Sequence, residues 1–231
     1  MRKKLLSILL SLAMVITMMP TIAFASESGT ATQPTIVMLK AATSGTNAVK
    51  LSWTKADTAT KYVVYGNKCG SDEKKLTTVK SNSYTVKKIG KTKLVANEFY
   101  KFKVVAYNES TKLATSKTIH FITGKTSGKY ANASKITATT AKLTLEVGQT
   151  AKVGATVKIY KNKKHIPSNH GSKLRYVSDN KAVATVSSKG TVEAIGEGTA
   201  TIYIQDVGGL YSKTIVTVED NRDKEAFEQY K

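Results

Sequence analysis

The chain has 231 residues, of which 41% are hydrophobic and 23% charged, proportions that suit folded globular domains and exclude a chain disordered throughout. Its 36 Lys and Arg against 16 Asp and Glu leave a formal charge of +20, spread over both halves of the sequence; such a surface keeps a protein soluble by self-repulsion or offers a docking face to polyanions. A single cysteine, Cys69, excludes an intramolecular disulfide, so any domain here must hold by packing alone.

Arg2-Lys3-Lys4, the apolar run 5–19, Pro20 and the small-residue pattern Ala23-Phe24-Ala25 predict a secretory signal peptide over residues 1–25, and hence a secreted or extracellular, surface-associated protein. The run is shorter than the ~20 residues a membrane span needs, so no transmembrane segment is expected in the mature chain. Residues 26–33 are Ser/Thr/Gly-rich and read as a linker ending at Pro34.

A first domain is expected over residues 34–124. Val49, Leu51 and Trp53 alternate with Lys50 and Ser52, Tyr62 and Val64 follow a polar break, and Tyr100, Phe102, Val104 and Ala106 alternate with Lys101, Lys103, Val105 and Tyr107. With Leu94 six residues before Tyr100, these motifs resemble the fibronectin type III domain. The resemblance implies a β-sandwich in which Tyr100 closes a corner by bonding nearby backbone. Ala96 stands where the family usually has proline, and residues 108–112 hold no Arg-Gly-Asp, so integrin-type recognition is not expected.

Residues 125–133, KTSGKYANA, lack alternation and read as an interdomain linker. The second domain is expected over 134–219, and its richest stretch is 177–205. There Ala184 and Val186, then Val192 and Ala194, then Ala200, Ile202 and Ile204 each share one face, with breaks at residues 187–190 and 196–198 where glycines permit tight turns. Tyr176, Ser178-Asp179-Asn180, Val183-Ala184-Thr185-Val186, Gly190, Val192, Ala194 and Gly198-Thr199-Ala200-Thr201-Ile202 together resemble the bacterial immunoglobulin-like group 2 domain, with Tyr176 replacing the usual tryptophan. The fold class is therefore all-β: two tandem immunoglobulin-like sandwiches after a cleaved signal peptide, folding independently, with a charged tail at 220–231. The resemblance implies spacer or adhesive modules of bacterial surfaces, with no catalytic motif.

The residues point away from chemistry. His120, His165 and His170 lack the spacing or cysteine company of a zinc site, Cys69 sits in a turn-rich stretch with no histidine beside it in sequence, and no metal or cofactor site is expected. Gly90-Lys91-Thr92 and Gly124-Lys125-Thr126 lack the leading glycine of a phosphate-binding loop. One stretch stands out: the basic loop 158–175 carries Lys158, Lys161, Lys163, Lys164, His165, Lys173 and Arg175, expected to project from one end of the second sandwich as a ligand-binding surface. A smaller cluster, Lys87, Lys88, Lys91 and Lys93, lies in the first domain. Lysine predominates and stacking aromatics are few, which argues against sequence-specific nucleic-acid reading. The expected function is a non-catalytic binding or adhesion module contacting an acidic polysaccharide, a cell-wall polymer or a surface protein; the alternatives are a spacer of an extracellular polysaccharide-degrading system or a structural wall component.

Export predicts that the secreted protein begins at Ser26. Intact-mass spectrometry of culture supernatant checks this, and a secreted species retaining residues 1–25 would overturn the localisation.

Overall fold

The computed structural model describes residues 36–171 and 173–222, so the expected signal peptide, the linker 26–33 and residues 223–231 of the tail lie outside it. Regular structure among the described residues is almost wholly strand, with two short 3-10 turns at Tyr160–Asn162 and Ser168–His170.

Period-two alternation builds the first sandwich. One antiparallel sheet runs Leu39–Thr43, Val49–Trp53, Ser83–Val86. The facing sheet runs Ile119–Ile122, Phe99–Asn108, Lys61–Lys68, Lys74–Val79, and Thr111–Thr115 also pairs with Phe99–Asn108. Leu39, Leu51, Trp53, Tyr62, Val64, Tyr100, Phe102, Val104 and Ile119 fill the space between the sheets, while Lys40 and Lys50, one residue out of phase, face solvent. The Trp53 and Tyr62 rings meet tilted at 5.5 Å, and the Tyr62 hydroxyl accepts the Ala56 amide at 3.0 Å, so two large aromatics are buried with the phenol's polar end satisfied. Tyr100 behaves as its resemblance implies: its hydroxyl accepts the backbone N–H of Val95 at 2.9 Å.

The second sandwich has three sheet segments. Ala133–Ala138 pairs with Ala155–Ile159; Thr150–Lys152, Thr191–Ala194 and Ala184–Val186 form a second; Lys142–Glu146, Tyr211–Glu219, Gly198–Asp206 and Leu174–Ser178 form the largest. Ala184, Val192, Ala194, Ala200, Ile202 and Ile204 all point into one core with Leu145, Val216 and Val218. The polar turn before Ala184 is fastened from both sides: the Ser178 hydroxyl donates to Ala184 O at 2.6 Å, and Asp179 Oδ1 accepts the Thr201 amide at 2.6 Å. Gly190 is required twice over, because its φ is +80° and a Cβ there would lie 2.5 Å from Val153 O and 2.7 Å from the Tyr176 ring. Pairing within these three segments is antiparallel except at one edge, where Lys142–Glu146 runs parallel to Tyr211–Glu219. The chain reaches that edge after leaving a different sheet at Ala138, so it arrives in the direction of the closing strand and not by a hairpin.

Tyr100→Phe removes the acceptor of the Val95 amide and should cost about 1–3 kcal/mol. Urea denaturation followed by Trp53 emission checks it; an unchanged midpoint would mean that the corner bond adds nothing.

Candidate functional site

The two sandwiches do not meet as beads on a string. Residues expected to be a plain linker form a small hairpin, Thr126–Ser127 with Tyr130–Ala131, and its second strand pairs in parallel with Lys164–His165 of the basic loop. Asn132 is buried and fixed on every side. Its side-chain carbonyl accepts the Ile122 amide at 2.9 Å and its side-chain amide donates to Ile122 O at 2.7 Å, imitating a strand partner at the end of the first domain. Its backbone carbonyl receives the Tyr160 amide at 3.1 Å, tying the second domain to the same point.

The turn after Gly198–Asp206 completes the junction. The His120 amide donates to Val207 O at 2.9 Å, and the buried Gln205 side chain donates to Leu39 O at 2.7 Å. Gly209, at φ +97°, lies so close to the first domain that a Cβ would meet Leu39 O at 2.7 Å and the Lys40 Cα at 2.8 Å. Ile122, Ile166 and Val207 form a separate buried cluster, with Phe99 and Tyr130 against it.

This junction divides the predicted basic site. Arg175 turns inward, donating to Thr118 O at 2.5 Å and to Asp206 O at 2.8 Å, and His165 Nε2 lies 3.3 Å from Asp206 Oδ2, whose side chain is wholly buried. The Lys163 ammonium donates to Gly128 O at 2.5 Å, and Lys161 leans toward the Tyr160 ring, 5.7 Å from its centroid. Lys158, Lys161, Lys164 and Lys173 remain exposed. The loop thus folds back onto the first domain, a correction to the expectation that it projects freely: Ile166 is 1% exposed, and an apolar residue in mid-loop draws the segment down. By contrast Lys87, Lys88, Lys91 and Lys93 are all exposed around the hairpin Lys88–Ile89, Thr92–Lys93, and none makes an ion pair among the described residues. Beside that hairpin lies a pocket of about 310 Å³ floored by Ile89, Leu94, Val95 and Tyr100 and edged by Lys68, Lys74 and Lys93.

One assembly at the junction was invisible to sequence spacing. Cys69, just after Lys61–Lys68, points its Sγ to within 3.3 Å of His120 Nδ1, so the cysteine does have a histidine beside it. His170, from the 3-10 turn of the basic loop, completes a group whose ligand atoms all lie within 4.8 Å of one another. The His170 ring stacks on Phe99 at 4.7 Å and meets His120 edge-on at 5.4 Å. Burial pushes the Cys69 thiol up to about 11, against the pull of the Lys101 ammonium. Burial, with lesser repulsion from His170, Arg175 and Lys101, holds His120 down to about 4, and burial also lowers His170, so both imidazoles are neutral near pH 7.

Residues 32–122 match the family model of the fibronectin type III domain, and residues 132–209 match that of the bacterial Ig-like domain (group 2). The chain contains a fibronectin type III domain over residues 32–122 followed by a bacterial Ig-like domain of group 2 over residues 132–209. Similar solved structures include the fibronectin type-III domain of human fibronectin type III domain containing protein 3, 25% identical, covering 42% of this chain and 91% of that chain at a TM-score of 0.32. A Fn3-like protein from Clostridium thermocellum is 22% identical over 38% of this chain and 91% of its own, TM-score 0.32. The FN5 domain of Drosophila Lar is 19% identical over 39% and 96%, TM-score 0.32. No curated protein matches the chain. Both domain types are generally non-catalytic and typical of extracellular or cell-surface proteins, and no helix among the described residues is long and apolar enough to cross a membrane.

The fibronectin and Ig-like domains are expected, from this junction, to unfold together, in place of the independent folding read from the sequence. Gly209→Val forces a side chain into the Leu39–Lys40 backbone, and Asn132→Ala strands the amide and carbonyl of Ile122 at about 1–3 kcal/mol apiece. Trp53 emission for the first domain and amide protection of Gly198–Asp206 for the second should report one transition in the wild type and separate ones in Gly209→Val. Two separate transitions already in the wild type would show that the junction does not couple the domains.

Proposed function

We propose that this chain is a non-catalytic extracellular or cell-surface module that binds acidic polymers, such as acidic polysaccharide or cell-wall polymer, through exposed lysines. The observation that carries this reading is the hairpin at residues 87–93, where Lys87, Lys88, Lys91 and Lys93 stand in solvent without acidic partners next to an apolar-floored pocket. Ammonium groups act as point charges on sulfate, phosphate and carboxylate without demanding one geometry, which suits a repeating polymer. Lys158, Lys161, Lys164 and Lys173 supply a second basic surface on the Ig-like domain.

A second reading is a spacer. The polar and apolar interlocking at Asn132, Gln205 and Gly209 favours it, because a spacer must transmit position, and a buried junction resists bending better than a flexible linker does.

Replacing Lys87, Lys88, Lys91 and Lys93 with Gln should weaken binding to heparin, a sulfated glycan probe, by roughly 30-fold at low salt, taking about 0.5 kcal/mol per exposed contact. The same number of changes at the exposed, scattered Lys50, Lys135, Lys142 and Lys181 should cost clearly less. Binding in both should fall as salt rises. Equal losses in the two variants would show that diffuse net charge alone attracts the polymer, and absence of saturable binding would leave the spacer reading standing.

A further inference from the structure

The Cys69, His120 and His170 group is a different matter from the lysine surface, since it uses none of the same residues. We propose that these three side chains form a zinc-binding site that clips the two domains together. Tetrahedral zinc, with Zn–S near 2.3 Å and Zn–N near 2.0–2.1 Å, needs its donor atoms roughly 3.3–3.6 Å apart. Cys69 Sγ and His120 Nδ1 already stand 3.3 Å apart, and all three ligand atoms fall within 4.8 Å of one another. The remaining adjustment falls on His170, which is carried by the three-residue turn Ser168–His170 and is half-buried with its ring stacked on Phe99.

The donor set decides the metal class. One sulfur and two imidazole nitrogens are soft and borderline ligands, which suit zinc and disfavour the oxygen-seeking magnesium and calcium. Three protein ligands leave a fourth position for water or an outside donor. All three residues are partly exposed, so an ion has a way in.

The surroundings hold the ligands in place. The Cys69 amide donates to Phe99 O at 2.9 Å, His120 sits within the strand Ile119–Ile122 with its amide bonded to Val207 O, and the Phe99 ring lies parallel beneath His170, with an interplanar angle of 20°. The charged groups acting on the site are Lys101 and Arg175 on the positive side and Glu73 on the negative. Arg175 directs its guanidinium to the carbonyls of Thr118 and Asp206. Cys69 and His120 belong to the fibronectin domain and His170 to the Ig-like domain, so the bound ion is itself an interdomain contact. Binding that requires the docked arrangement stabilises that arrangement by mass action.

The test uses the whole chain under reducing, chelator-free conditions. Cobalt(II) is the probe. It should saturate at one ion per chain, with a thiolate-to-metal charge-transfer band in the near ultraviolet and the visible bands of a four-coordinate ion, and zinc should displace it. Cys69→Ser should abolish the charge-transfer band. His170→Gln, on the exposed turn, should weaken cobalt binding by more than the roughly 10–100-fold that loss of a supporting residue costs. Glu197→Gln, an exposed carboxylate away from both the site and the junction, should leave binding unchanged. Zinc should also raise the midpoint of thermal unfolding in the wild type and not in His170→Gln, with circular dichroism showing both variants folded. No charge-transfer band, or a band of undiminished affinity in His170→Gln, would overturn the proposal; the second result would mean that the thiolate binds metal without the Ig-like domain.

Discussion

The backbone approach at Gly209 sets the terms for everything else in this molecule. A turn of the Ig-like domain lies against Leu39 and Lys40 at a separation that no side chain would tolerate, and that contact takes Gln205 and Asp206 out of water. Burying such groups is costly unless they are bonded, and the junction bonds them incompletely. Gln205 reaches Leu39 O and Arg175 reaches Thr118 O, while Gln205 Oε1, Asp206 Oδ1 and Arg175 Nε find no partner among the described residues. The polar contacts therefore fix the geometry of docking more than its strength. The net attraction must come from the apolar set of Ile122, Ile166 and Val207, with Phe99 and Tyr130 around it.

That division explains what the sequence could and could not reveal. Within each sandwich the inward faces were legible because burial there follows the strand period: Leu51 and Trp53 against Lys50, or Ala200, Ile202 and Ile204 in sequence. Gln205 obeys the same rule and defeats it. By alternation it faces outward, as a glutamine should, but its outward face is covered by the other domain, so it is 1% exposed. Asn132 gave no signal either, since its role is to stand in for a strand residue opposite Ile122 through side-chain atoms alone. The nearest clue was the Gly208-Gly209 doublet beside Val207, an apolar residue in a turn, which a reading of one domain at a time takes as a loop.

The basic loop shows the same limit from the side of charge. Composition counts cations but not where they go, and Ile166 at 1% exposure anchors the middle of the segment against the fibronectin domain. Once anchored there, Arg175 and His165 are close to buried carbonyls and a buried carboxylate, and they serve the junction in place of solvent. The same folding back delivers His170 to Cys69 and His120. Residues so distant in sequence have no spacing to recognise, so the cluster belongs to the docked pair of domains and is legible in neither alone.

A stiff junction also changes how a weakly attractive lysine surface works. Single exposed ion pairs contribute well under 1 kcal/mol each, and a lone hairpin of four lysines holds a polymer loosely. When two basic surfaces sit on one body, engagement of the first presents the second to the same chain at a fixed effective concentration, which a flexible linker would dilute as its length grows. The hairpin at residues 87–93 and the exposed Lys158, Lys161, Lys164 and Lys173 lie on different domains, so their spacing is set by Asn132, Gln205 and Gly209, none of which would touch the polymer. On the proposed acidic-polymer reading, residues that touch no ligand would thus govern avidity, and an acidic polymer long enough to span both surfaces should sense the junction where a short one does not.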